Sequence, residues 1–300
     1  MRLTHFSLCS GIGGIDLAAE WAGFETIGQC EVDEYASKVL AKNFKGVKNY
    51  GDIRTITAER LGRDGITGGG ITVLSAGFPC QPYSLAGKGL GDGDSRDLWG
   101  EVARILGEVR PKWFVGENTP GLFARSNQRF FRRVIDDITE NGYSVSWSIW
   151  GACDVGAPHQ RDRVFIVGRN ADSEDEQEEC ALSVENAHAA GDNRNFPYAV
   201  GKRFSKNEIQ HGEFAEGWRS EDEEGKEAER VQFAGVCSGV PKLRREADGA
   251  EWWKAEPGVG RMVTRISNRV DRLRCLGNAV VPYQVLPIFE AIAKIEEVKE

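Results

Sequence analysis

FSLCSGIGGIDLAAEWAGF, Phe6 to Phe24, holds three local signals in a row. It begins inside an apolar run, Thr4–Cys9, with the enrichment expected of a strand. Glycines 11, 13 and 14 follow, a tight turn that no long apolar segment could make. Ile15–Ala22 then repeats its apolar residues at helical spacing. The same strand–turn–helix unit recurs outward along the chain. Further strands are expected at Glu25–Cys30, Ile71–Ala76, Lys112–Gly116, Tyr143–Trp150 and Arg163–Gly168. Helices are expected at Asp33–Asn43, Asp97–Val109 and Gln128–Asn141. Such alternation implies an α/β fold with a mostly parallel, doubly wound, Rossmann-like sheet.

The pattern stops near Gly168. Residues 169–264 are polar and charged and read as a small loop-rich insertion after a core of 1–168, and 265–300 return to that core. The last stretch, Val280–Val298, reads as a helix entered or interrupted at Pro282 and Pro287, with Gly277–Asn278 capping its start. There is no internal repeat. The chain has 300 residues, is 40% hydrophobic, and has no apolar run near the ~20 residues that span a bilayer. Its N-terminus meets Asp16 and Glu20 early and has no cleavage pattern, so a cytoplasmic protein without a membrane segment is expected. Seven cysteines form no CxxC pair and no Cys/His cluster, which argues for reduced thiols and against a metal site.

A net charge of −8 gives no overall support for nucleic-acid binding, but the charge is uneven. Acid concentrates in Asp172–Glu179 and Glu221–Glu229, whereas Arg261, Arg265, Arg269, Arg272 and Arg274 form a basic run. Either is a solvated face or, for the arginines, a phosphate-contact strip.

The glycine turn lets backbone approach a ligand beside a helix N-terminus. Glu31 follows the next strand about 18 positions beyond Gly13, where a ribose diol would be bound. Asp52, in GDIR after a third short strand, adds a second acceptor. With no third glycine in GxGxxG spacing, the set favours S-adenosylmethionine over a dinucleotide.

Cys80 stands at the tip of an apolar strand after Phe78–Pro79, before a glycine-rich loop. It reads as a nucleophile or as a buried thiol. The next strand ends in Glu117–Asn118, at the same crevice. Glu117 is a cap, a surface acid or a carboxyl held near a thiol. Arg161 and Arg163, two apart at the start of a strand, would share one face.

Together, FSLCSGIGG, CEVDEYA, GDI, GFPCQPYS, GENTPG, QRDRVFIVG and LGNAVVP, in this order, closely resemble the DNA (cytosine-5)-methyltransferase family of bacterial and phage type, over roughly residues 1–168 and 265–300. The resemblance implies that Cys80 attacks C6 of a flipped-out cytosine in duplex DNA, with the methyl group coming from S-adenosylmethionine. It implies that Glu117 holds N3, that Asn118 orients this element, and that Arg163, with Arg161 nearby, binds the O2 side or orders the loop. For the cofactor it implies Ser10, Gly11, Ile12, Gly13 and Gly14 at the methionine end. Glu31 and Val32 would lie at the ribose, Asp52 and Ile53 at the adenine, and Gly77, Pro79, Asn278 and Val280 would complete the pocket. Loop 84–97 would close over the base, and Gln81, Ser84, Lys88, Arg96, Arg261, Arg265 and Arg269 would meet DNA. The insertion would recognise the target. A monomer is expected, with a cognate restriction endonuclease as a functional, not physical, partner.

The sequence departs from the family pattern in places. The insertion is short and acidic, NRVDRLRCL is a thin match, and ENTPG stands where ENV is commoner. An RNA-methylating relative would carry a Cys-Phe-Thr signature, which is absent. A DNA-binding relative without activity would have lost Cys80 or Glu117. A nicotinamide oxidoreductase would need the third glycine, and an adenine or N4-cytosine methyltransferase an Asp/Asn-Pro-Pro-Tyr element.

Overall fold

A computed structural model describes residues 2–66, 70–79, 97–172 and 267–298. Five of its strands were expected nearly at their observed limits: β1 (Thr4–Leu8), β2 (Glu25–Cys30), β3 (Val73–Gly77), β4 (Trp113–Asn118) and β5 (Tyr143–Trp150). The sixth, β6 (Arg163–Asn170), runs past the expected end at Gly168. The helices are α1 (Gly14–Trp21), α2 (Glu34–Asn43), α3 (Ala58–Arg63), α4 (Trp99–Val109), α5 (Gln128–Glu140), α6 (Arg269–Asn278) and α7 (Pro282–Glu297).

They build one six-stranded sheet in the order β2-β1-β3-β4-β6-β5. β2, β1, β3 and β4 are parallel, and β6 lies antiparallel between β4 and β5. The α/β, doubly wound reading therefore holds. The strand expected before Asp52 does not form; an isolated bridge between Gln29 and Asn49 stands in its place, and Asp52 caps a 3-10 turn, Ile53–Thr55.

Alternation along the strands fills both faces. Phe6, Leu8, Leu74, Phe114, Val164 and Ile166 join Val102, Ile105, Phe130 and Ile135 of α4 and α5 in one core. Val73, Trp113, Val115 and Phe165 face Ala18 of α1 and Val285, Phe289 and Ile292 of α7 in the other. Phe289 meets His5 and Phe24 edge-on, each at 5.3 Å between centroids.

The C-terminal segment differs from expectation. Gly277 and Asn278 end α6 instead of starting a helix, because Ala279 leaves helical geometry and Pro282, after Val281, opens α7 at its first position. Pro287 lies inside α7. That helix is pinned to the sheet by buried Glu296, which accepts from Lys112 Nζ at 2.6 Å and from Trp113 Nε1 at 3.0 Å. Glu296→Ala removes both bonds and leaves the buried indole N–H without this acceptor. The expected cost is about 2 kcal/mol, read as a lower urea midpoint with unchanged slope. No single helix among the described residues is long and apolar enough to cross a membrane.

Candidate active site

The carboxyl ends of β2, β1, β3 and β4 form one rim, where ligands bind in doubly wound sheets. The reversal of β6 brings its first residue, not its last, to that rim. Glu117 pairs in register with Phe165 and Asn118 with Val164, so Arg163 stands beside the tip of β4. Its Nε meets Glu117 Oε1 at 2.9 Å, and both side chains are nearly buried. Burial pushes the Glu117 carboxyl up to about 7, opposed first by Arg163 and then by Arg161. A carboxyl poised there can hold or release a proton near neutral pH.

Asn118 is buried, and its Nδ2 donates to the carbonyl of Phe78 at 3.1 Å. This ties the tip of β4 to the Phe78–Pro79 turn that leads into Cys80. Phe78 is itself anchored on Trp99, 4.8 Å between centroids. A Cβ on Gly77 would lie 3.5 Å from Glu117 Oε2, which shows how closely the two strand tips approach. Cys80, Gln81, Ser84, Lys88, Arg96, Arg261 and Arg265 lie outside the described residues, as does most of loop 84–97. Arg269 is exposed at the start of α6.

Arg161 does not share a strand face with Arg163. It precedes β6 in a left-handed conformation, φ 52°, so the two-residue alternation does not apply. Its guanidinium donates to the carbonyls of Leu276 (3.1 Å), Gly277 (2.8 Å) and Ala279. Its own carbonyl accepts from buried Gln284 of α7 at 2.9 Å. Arg161 thus acts as a strut that holds the α6–α7 connection against the sheet.

That connection lies on the glycine turn. A Cβ on Gly14 would sit 2.8 Å from the carbonyl oxygen of Val280 and 2.9 Å from its Cγ1. Gly14→Ala is therefore expected to force the two apart, at a cost of about 1–3 kcal/mol. A lower melting temperature together with weaker cofactor binding checks this; unchanged binding would mean that the contact does not shape the pocket.

The side expected to hold a cofactor is built from β1 and β2. Cys9 and Gly11 adopt positive φ, 52° and 56°, and turn the chain so that Ser10 N–H donates to Cys30 C=O at 3.1 Å. Glu31 accepts from the backbone N–H groups of Gly11 and Asp33, each at 2.7 Å, one on each oxygen. Those bonds fix the carboxylate and leave further lone pairs for a diol. No atom lies within 4 Å of a Cβ built on Gly11, and Val32 is 76% exposed beside Glu31. An acceptor, open space over a glycine and an exposed apolar side chain fit an adenosine-containing ligand.

Other expected contacts are reassigned. Ile53 is buried in the core, so its side chain is unavailable to a ligand. Asp52 accepts from Arg54 N–H at 3.0 Å as a cap, close to Cys30, whose thiol donates to Gly51 C=O at 3.0 Å. Ile12, Gly13 and Pro79 stay in the turns expected to line the pocket, whereas Val280 packs on Gly14 and Asn278 is exposed at the end of α6. Sequence reasoning missed Asn49. Its Oδ1 accepts from Glu31 N–H and Gly51 N–H, and its Nδ2 donates to Glu31 C=O, all at 3.0 Å. Arg274, read in the sequence as part of a basic run, reaches from α6 to Asp33 at 2.6 Å.

The family model for C-5 cytosine-specific DNA methylases matches residues 3–234. The chain belongs to that family. Among curated methylases, the type II methyltransferase M.NgoBI of Neisseria gonorrhoeae is 41% identical over 54% of this chain and 49% of its own length. M.HaeII of Haemophilus aegyptius is 38% identical over 54% of this chain and 48% of its length. The chain thus spans about half the length of the curated relatives it matches. The crystal structure of S. pombe Dnmt2 methyltransferase aligns at TM-score 0.44 and 20% identity over 57% of this chain and 50% of that one. Among the described residues of this methylase, no group of His, Cys, Asp and Glu could hold a metal ion.

Proposed function

We propose that the chain transfers a methyl group from S-adenosylmethionine to C5 of cytosine in duplex DNA. The observation that carries this reading is the buried Glu117–Arg163 pair, 2.9 Å apart, one strand from the turn that leads into Cys80. A cytosine in a stacked duplex is out of reach, so the base must be flipped to this rim. The Cys80 thiolate adds to C6 while Glu117 gives a proton to N3, which makes C5 nucleophilic. Arg163 holds the carboxyl in place and meets the O2 edge. After alkylation, solvent water takes the C5 proton, the thiolate is eliminated from C6, and the N3 proton returns to Glu117. The cofactor supplies an electrophilic methyl group and is held by Ser10–Gly14, Glu31, Val32 and Asp52.

Residues 169–264 are the proposed target-recognition region, with Arg261, Arg265 and Arg269 on phosphates. The type II methyltransferases among the relatives support a functional link to a restriction endonuclease. The test incubates the protein with tritiated S-adenosylmethionine and, separately, mixed-sequence duplex DNA and transfer RNA. Label at cytosine C5 of DNA supports the reading. Label in RNA alone moves the substrate class, and no label in either overturns it.

A further inference from the structure

Asp16, the third residue of α1, is fully buried, yet its carboxyl is only half satisfied. Oδ1 accepts from Ser7 Oγ at 2.7 Å and from Gln29 Nε2 at 3.0 Å. Oδ2 is buried with no hydrogen-bond partner. A core position with a lone, half-satisfied carboxyl is costly, and an amide or apolar side chain would be cheaper.

The bonds around it lead to the pocket. Because Ser7 donates its one proton to Asp16, the 2.6 Å contact between Ser7 and Ser10 must be donated by Ser10. Ser10 Oγ in turn accepts from Cys30 N–H at 3.1 Å. One polarised chain therefore runs from the tips of β1 and β2, through the serine that opens the glycine turn, to the buried acid. The charge that bears on Asp16 is that of Glu20 on its own helix, and it repels. From β1, burial holds His5 at about 3 and so uncharged. From β2 comes the uncharged Gln29, which donates to Asp16. Among the described residues no cation pairs with Asp16. Burial pushes its carboxyl up to about 6, so it is ionised at neutral pH and protonated in mild acid.

We infer that Asp16 is the buried counter-charge for a cationic group seated over the Ser10–Gly14 turn, and that it favours the sulfonium cofactor over the neutral thioether it becomes. This rests on the methyl-transfer reading above. It assigns the cofactor pocket a charge preference: a ligand that arrives as a cation is held more tightly than the one that leaves. Binding of a cation stabilises the ionised acid, so cofactor affinity should rise with pH through about 6 while thioether affinity stays level.

The test titrates S-adenosylmethionine, S-adenosylhomocysteine and sinefungin, whose amine is a cation without a transferable methyl, into wild type and Asp16→Asn between pH 5.5 and 8. In wild type at pH 8 both cations should bind about tenfold better than the thioether, and this preference should shrink at pH 5.5. Asp16→Asn should lose most of the preference and its pH dependence, with thioether affinity within about twofold of wild type. If the variant weakens all three ligands equally, Asp16 only positions Ser10 and the inference falls. It falls also if the preference is unchanged. If Asp16→Asn does not fold, Glu117→Gln serves instead: it removes the carboxyl that burial raises to about 7, and a preference that stays flat across the pH range overturns the inference. Wild type that binds neither S-adenosylmethionine nor S-adenosylhomocysteine overturns the cofactor reading itself.

Discussion

Cys80→Ser should bind cofactor and DNA within about twofold of wild type and transfer methyl at least about 10⁴-fold more slowly. A serine hydroxyl ionises far above neutrality and is a much weaker nucleophile than a thiolate at neutral pH. The contacts that shape the approach to residue 80 survive the change. Phe78 stays wedged on Trp99, and Asn118 still donates to the Phe78 carbonyl. The loss would therefore belong to the sulfur. Duplex DNA containing 5-fluorocytosine gives a second reading, because fluorine at C5 cannot leave as the proton does and the adduct is trapped. Wild type should form a species that survives a denaturing gel, and the serine variant should not. A serine variant with a tenth of wild-type activity would end the assignment of Cys80 as nucleophile.

Glu117→Gln is the second large effect, an expected loss of about 10²–10⁴ in kcat with little change in cofactor affinity. Glutamine keeps the shape and can donate an N–H, but it has no proton to give N3, and it removes the anionic partner of Arg163. The pH profile separates these roles. Burial raises the Glu117 carboxyl to about 7, so the proton-bearing form dominates below that pH and is lost above it. Wild-type kcat should fall about tenfold per pH unit on the alkaline side. In the glutamine variant the alkaline fall should vanish. A wild-type profile that keeps rising beyond pH 8 would show that the neutral carboxyl is not the competent form.

Much of this site was legible because strand tips in a doubly wound sheet share one rim, whatever the details of packing. Two apolar runs ending in Phe78–Pro79 and Glu117–Asn118 were enough to place those two strand tips together. What could not be read is strand direction: alternation looks the same in either sense, so nothing in RVFIVG revealed that β6 runs backwards and delivers Arg163 by its first residue. Arg161 was misplaced because an even spacing implies a shared face only inside extended backbone, and its φ is positive. Gly277–Asn278 resembles a cap at either end of a helix, and the extended backbone at Ala279 and Val281 decides which. Asp16 carried almost no signal, since an acid in the first turn of a helix is ordinary until its burial is seen.

The seam between Gly14 and Val280 also bears on folding. The turn and the residue that covers it lie far apart in the sequence. Until α7 docks on α1, the turn has no wall on that side, and Arg161 has no carbonyls of the α6–α7 connection to hold. That side of the turn is thus completed by a contact between segments distant in sequence. Closing it costs the entropy of a long loop, which the packing of α7 on α1 must offset.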